Sequence, residues 1–403
     1  MIAHYRDRIA IRYAGTWEGG LRGKIGRFAG ALLITVLSLS ARHRLVLLSI
    51  DGLDQRYLRD CDKLRLRIPN LRRLMREGTW ANGVVGEVPT ITWPEHTTII
   101  TGVPPAVHGI QQNQRWEYRL IRVKTLWTDL QAANLTSAAI TWPVTVDAPI
   151  TWNLPEYFEK RQGGGMDLTA IAKHATPGLI DEIAQRYPSF PQQWVDDRTR
   201  TLAALFLMEQ KHPDVLAVHL VDLDAEEHET GPFSPASNAL LEYTDELVGR
   251  ILGALPEDTV LALVSDHGFV PVERTVHPPL GTVSPFWVTA ATASDADELL
   301  RLREDPANGI GRQIPTDEWR RFEPGQPTPA AAFEPLDRFA FSLAPLATRY
   351  GKPHEIGTHG LWPGRPEYRS VFLLWGPGIG AGRLPEISIL DIYAHLHSII
   401  FEK

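Results

Sequence analysis

Three aspartates, three histidines and one threonine stand in five short segments of this 403-residue chain, most of them directly after an apolar run. Asp51 follows the run Leu45 to Ile50, and Thr92 lies in Pro89-Thr90-Ile91-Thr92-Trp93-Pro94. Asp224 and His228 are four residues apart, Asp266 and His267 are adjacent, and His359 is held between Thr358 and Gly360. Carboxylates, imidazoles and a hydroxyl are hard or borderline donors, and seven of them are about what two adjacent divalent ions need. Ions held so close together can activate one oxygen and neutralise another in an in-line displacement. A threonine hydroxyl needs that help, since it is a poor nucleophile at neutral pH and no dedicated base lies beside Thr92 in sequence.

Taken singly, each segment also has an ordinary reading. Asp51-Gly52 suits a turn. Thr92 suits a helix cap, with Pro94 in the first turn of a helix running through His96 to Ile100. A hydroxyl there faces a helix N-terminus, which favours an anion. Asp224 and His228 meet over one helical turn. Asp266 and His267 should diverge at a strand end unless the chain turns sharply, which Gly268 permits. His96 and His108 read as structural, and His219 as a core or supporting residue. Asp222 would share a face with Asp224 if the strand ran that far.

The elements that must position these residues alternate. Residues 45–50 form a short apolar run of the kind found in buried parallel strands, and similar runs recur at Ser137–Ile140, Val215–Leu220, Val260–Val264 and Val371–Trp375. Between them Leu240, Leu241, Thr244, Leu247, Val248, Ile251 and Leu252 repeat at helical spacing. Asn70 to Arg76, with Asn70 as cap, and Ile389 to Ile400 are further helix candidates. The alternation predicts an α/β fold, a doubly wound, mostly parallel sheet with helices on both faces. Residues near 148–214 and 305–350 break the pattern and read as insertions, the first as a lid over the carboxyl edge of the sheet where ligands bind.

Bulk properties narrow the class. A net charge of −7 argues against a nucleic-acid scaffold or an anchor to anionic membrane. The single cysteine, Cys61, excludes an intrachain disulfide and a multi-cysteine metal site. Arg22, Lys24 and Arg27 precede the apolar run Phe28 to Ala41, which fits a signal or leader segment over residues 1–41 and an exported, periplasmic or secreted, protein. A disordered or amphipathic leader fits the same pattern. That run is too short for a membrane span.

In this order and with these strand contexts, the five segments resemble the nucleotide pyrophosphatase/phosphodiesterase family of the alkaline phosphatase superfamily. The most specific part is Pro89 through Asn113, which includes Pro94-Glu95-His96 and Val107-His108-Gly109-Ile110. The resemblance implies an alkaline-phosphatase-like hydrolase domain over residues 42–403, acting on a small phosphate-ester substrate. It implies that Thr92 is the nucleophile of a phospho-threonine route and that Asn113 holds a phosphoryl oxygen, helped by a backbone amide near Thr92. It further implies two divalent ions, zinc by family: Asp224, His228 and His359 would hold one, and Asp51, Asp266, His267 and the Thr92 oxygen the other. Glu95 departs from the family, which commonly has Asn there, and is expected to support the helix or the ligands.

Three rivals compete with this reading. A phosphomonoesterase or phosphonate hydrolase of the same superfamily would use the same ions and threonine, with cationic side chains such as Lys160 or Arg161 near the substrate. A sulfatase would need a Cys or Ser nucleophile with Pro two and Arg four residues on; Cys61 has Arg65 but Lys63 in place of the Pro. A catalytically inert metal-binding module is the remote alternative.

Overall fold

The computed structural model describes residues 43–158, 168–190, 195–323 and 327–402. The leader at 1–41, Lys160 and Arg161 therefore lie outside the described residues. The central sheet has eight strands: β1 (Arg44–Ile50), β2 (Thr79–Ala81), β3 (Ser137–Ile140), β4 (Trp152–Leu154), β5 (Val215–Leu220), β6 (Thr259–Val264), β7 (Phe372–Trp375) and β8 (Gly382–Leu384). Their spatial order is β8-β2-β7-β6-β1-β5-β3-β4. Neighbours from β6 to β4 are parallel, whereas β7 runs antiparallel to both β6 and β2. The run near 371–375 is thus a strand as expected but reversed in direction, because a long excursion returns the chain to the sheet from its carboxyl edge.

Side-chain alternation along β1 explains the two helical layers. Val46, Leu48 and Ile50 face α1 (Pro69–Glu77), while Leu45 and Leu47 join Ile99 of α2 (Thr92–Ile99) and Leu126 and Leu130 of α3 (Leu126–Ala132). The first face is completed by α4 (Asp197–Phe206) and α6 (Pro235–Ala254), the latter following α5 (Asp222–Thr230). The second is completed by α7 (Ile392–Phe401). Each buried leucine contributes roughly 2 kcal/mol of transfer free energy. Leu241, Thr244, Leu247, Val248 and Ile251 are the buried stripe of α6.

Two expectations change. The helix α1 starts with Pro69 at its first position and Ile68 as the flanking residue. Asn70 is inside it, with its amide donating to the Asp245 carbonyl and carboxylate instead of capping. The described parts of 148–214 supply the edge strand β4 and the helix α4 packed against β5. The second excursion begins well before residue 305. Thr282–Val283, Val288–Ala290, Ile310–Gln313 and Ala331–Pro335 form a separate four-stranded sheet, and Val270–Val276 pairs with Arg338–Phe341 and Gly357–Thr358. No described helix is long and apolar enough to cross a membrane.

Candidate metal centre and nucleophile

The site grows out of strand register. Ser49 of β1 pairs with His219 of β5 and with Val264 of β6, so three strands end level. Continuing two residues sets Asp51 beside Asp266. The Asp51 amide is tied to the Leu220 carbonyl at 2.8 Å, and the Gly52 amide donates to Asp266 Oδ1 at 3.2 Å. Gly52 turns the chain with φ +71, and a Cβ there would meet Glu227 and Phe269 at 3.0 Å.

His267 Nε2 lies 3.4 Å from Asp51 Oδ1 and 3.1 Å from Asp266 Oδ2. The adjacent Asp266 and His267 side chains do converge, but Gly268 does not adopt positive φ. Its glycine is required by space, since a Cβ would come within 2.5 Å of an Asp54 carboxylate oxygen and 3.0 Å of the Arg369 carbonyl.

Asp224 and His228 are one turn apart on α5, with His228 Nε2 at 3.6 Å from Asp224 Oδ1. His359 arrives from the Gly357–Thr358 strand, its Nε2 at 3.5 Å from the same Asp224 oxygen and 3.1 Å from His228 Nε2. The two donor sets abut: Asp51, Asp224 and His267 offer atoms within 4.8 Å of one another. The His267 and His359 rings stack at 3.7 Å between centroids and 8° between planes.

The electrostatics of this cluster are those of a cation site. Asp51 Oδ1, Asp224 Oδ1, Asp266 Oδ2 and both His267 ring nitrogens are buried with no hydrogen-bond partner among the described residues. Such orphaned groups cost several kcal/mol unless something compensates them. Burial, reinforced by the neighbouring carboxylates, pushes Asp51 and Asp266 far above the usual carboxylate range. Burial raises Asp224 to about 6 even though His228 opposes it. Burial and the nearby imidazoles hold His267 far down, and His359 falls to about 3 for the same reasons. His228 behaves differently: burial lowers it, but Glu355 and Asp224 outweigh that and raise it. Neutral imidazoles facing carboxylates that lack positive charge fit a bound divalent ion.

Thr92 is the first residue of α2, and the flanking position belongs to Ile91. The hydroxyl is therefore not spent on capping. The first-turn amides can be accounted for one by one. That of Trp93 donates to Asn113 Oδ1 at 2.9 Å, Pro94 has none, and that of Glu95 goes to the Ile91 carbonyl. The Thr92 N–H is left without an acceptor among the described residues. His96 links this turn to the donor cluster, with Nδ1 at 2.8 Å from the Thr92 carbonyl oxygen and 3.5 Å from Asp266 Oδ2. On the other side, the Thr90 carbonyl receives the Gly360 amide at 3.0 Å, next to His359.

Several further residues surround the cluster, some expected from sequence and some not. His219 Nε2 contacts Asp51 Oδ2 at 2.9 Å, which gives its supporting role a partner. Glu156 accepts from the Trp93 indole at 2.9 Å and carried no sequence signal. Glu355 sits 3.1 Å from His228 Nδ1, the carboxylate partner that orients metal-binding imidazoles. Glu95 is buried and accepts the Glu87 amide at 2.7 Å. Asp222 begins α5 because the strand ends at Leu220, so it does not share a strand face with Asp224. Its carboxylate instead meets the Asp197 amide and Arg200. Cys61 is buried and away from the cluster.

Comparison with known proteins bears on the family and the fold. Venom phosphodiesterase 2 of Crotalus adamanteus is 28% identical over 235 residues, covering 56% of this chain and 26% of the relative. Ectonucleotide pyrophosphatase/phosphodiesterase family member 3 of Bos taurus is 25% identical over 240 residues, 55% of this chain and 24% of that protein. The matched region thus spans about a quarter of those relatives. An inactive variant of murine ectonucleotide pyrophosphatase / phosphodiesterase 5, solved in complex with AMP, shares the fold with a TM-score of 0.63 at 17% identity. That alignment covers 89% of this chain and 95% of the murine one. The human form gives 0.63 at 16% identity. The family model of type I phosphodiesterase / nucleotide pyrophosphatase matches residues 45–282, more than half of the sequence, and the chain belongs to that family.

Proposed function

We propose that this chain hydrolyses phosphodiester or pyrophosphate bonds with the help of two divalent ions, zinc by donor type, using Thr92 as nucleophile. The observation that carries the reading is the cluster of Asp51, Asp224, Asp266, His228, His267 and His359, in which Asp51, Asp224, Asp266 and His267 present buried atoms without a hydrogen-bond partner among the described residues. Asp224, His228 and His359 would hold one ion; Asp51, Asp266, His267 and the Thr92 oxygen would hold the other. Imidazole with carboxylate suits zinc. Ions bound there supply Lewis acidity toward a hydroxyl and a phosphoryl oxygen.

The chain's own residues do the rest. The start of α2 presents the Thr92 hydroxyl at a helix N-terminus, where developing negative charge is favoured. Thr92 attacks phosphorus, the leaving alcohol or phosphate departs, and water then attacks the same phosphorus, cleaving the phospho-threonine and restoring the Thr92 hydroxyl. Asn113, with its carbonyl oxygen engaged by the Trp93 N–H, has its NH2 group for a non-bridging oxygen, and the Thr92 N–H adds a second donor. Asp222 and Glu95 take no part. The names of the relatives, venom enzymes and ectonucleotide enzymes, support the export reading.

Replacing the nucleophile tests the covalent route. Thr92→Ala should lose at least about 10³-fold in diester turnover while keeping the parent's metal content by elemental analysis. Full diesterase activity with both ions retained would refute it.

A further inference from the structure

A cavity of about 260 Å3 is lined by residues next in sequence to the proposed nucleophile. Ile91 and Pro89 line it just before Thr92, and Gln111 and Gln112 line it just before Asn113. The facing wall comes from the second excursion, with Phe286, Trp287 and Glu323. Phe286 also lies against Gly360, where a Cβ would come within 2.5 Å of its ring, so this wall leans on the residue after His359. Two segments that carry proposed catalytic residues therefore border the cavity, and a third, at His359, lies behind its Phe286 wall.

The chemistry of the lining is one-sided. Among the described residues that line it none is Lys, Arg or His, and the ionisable one is Glu323, a carboxylate. Phe286 and Trp287 pack with centroids 6.0 Å apart, and Trp287 meets Phe322 edge-on at 5.1 Å. The two glutamines and Ser284 add neutral hydrogen-bonding groups. A second phosphate placed here would be desolvated against rings and a like charge, with no cation to pair it. A volume at the small end of ligand pockets, which run from roughly 300 Å3, suits one ring or a short alkyl chain.

We propose that this cavity receives one ester arm of the substrate and selects an uncharged, apolar arm over a polyphosphate, which makes this chain a diesterase for aryl or alkyl phosphodiesters in preference to nucleoside triphosphates. The proposal rests on the phosphodiesterase reading above.

A pair of substrates that differ in that arm alone tests it: thymidine 5′-(4-nitrophenyl phosphate) and thymidine triphosphate, assayed with the metal-replete full chain. Intrinsic reactivity differs between the two, so the readout is the change in the ratio of their kcat/KM values between parent and variant. Glu323→Lys, which adds a cation at a half-exposed position, should shift the ratio toward the triphosphate by about tenfold. Trp287→Ala should shift it the same way by lowering turnover of the aryl diester by about tenfold. Trp287 also packs on Trp319 and Trp362, so the glutamate variant decides if the tryptophan variant does not fold. An unchanged ratio in Glu323→Lys, with aryl diester turnover intact, overturns the assignment of the cavity. Absence of turnover of either substrate by the folded, metal-loaded parent overturns the phosphodiesterase reading, and this inference with it.

Discussion

Asn113 has one hydrogen-bonding end committed and one to spend. Its carbonyl oxygen accepts from the Trp93 amide at 2.9 Å, which orients the side chain beside the first turn of α2. A donor placed in this way stabilises charge as it develops on a phosphoryl oxygen, and removing one such donor typically costs 10²–10³-fold in rate. Asn113→Ala is accordingly expected to lower kcat by about 10²-fold, with KM changed much less; steady-state kinetics on a diester will show it, and a change confined to KM would assign Asn113 to substrate binding alone. The ligands make a pH prediction. Metal binds the deprotonated carboxylates, while burial raises Asp224 to about 6 and Asp51 and Asp266 further. The metal-free protein is therefore protonated at these positions below pH 6, and binding must expel those protons. Zinc affinity should fall as pH drops from 7 to 5, and calorimetry in buffers of different ionisation enthalpy should register proton release. Affinity that does not vary with pH across that range would contradict the assignment of these groups as ligands.

At the scale of elements, the placement of Asp224 and His228 depends on how α5 is anchored to the sheet. Asp197, the first residue of α4, accepts the Val221 amide at 2.7 Å and the Asp222 amide at 3.1 Å, and its carboxylate pairs with the buried Arg200 at 2.9 Å. The helix that lies on β5 is thereby stapled to the start of the helix that leaves β5. Removing one partner of a buried ion pair costs about 3–5 kcal/mol when the other charge is stranded; Arg200 keeps Asp222 at 3.2 Å, which sets the cost at the low end. Asp197→Ala should thus destabilise the fold by about 3 kcal/mol in denaturant melts and weaken metal retention without touching a ligand. A variant that melts like the parent would show that the staple is unimportant. None of this was readable from spacing, since Asp197 and Asp222 are 25 residues apart and lie in unrelated segments. By contrast, the strands were legible as apolar runs, and the stripe of α6 was legible from its period. The reversal of β7 and the small antiparallel sheet were not, because short apolar runs carry no direction and Pro-rich stretches hide two-residue strands.

At the scale of the whole molecule, the parallel order β6-β1-β5 brings three strand ends to one edge, and the excursion through 270–358 returns His359 to that edge. The identity of the candidate ligands was accessible from residue type and resemblance. Their supporting residues were not: Glu156 and Glu355 reach the site through tertiary folding and leave no local pattern. The role of Gly268 was misjudged for a related reason, since a close approach by Asp54 and Arg369 is invisible in sequence. The central claim is that these remote segments hold a pair of ions about the Thr92 oxygen. Anomalous diffraction at the zinc edge, on crystals of the metal-loaded protein, tests it most directly. The account predicts two peaks about 4 Å apart, one among Asp224, His228 and His359, the other among Asp51, Asp266, His267 and the Thr92 oxygen; peaks elsewhere, or none in an intact fold, would contradict it.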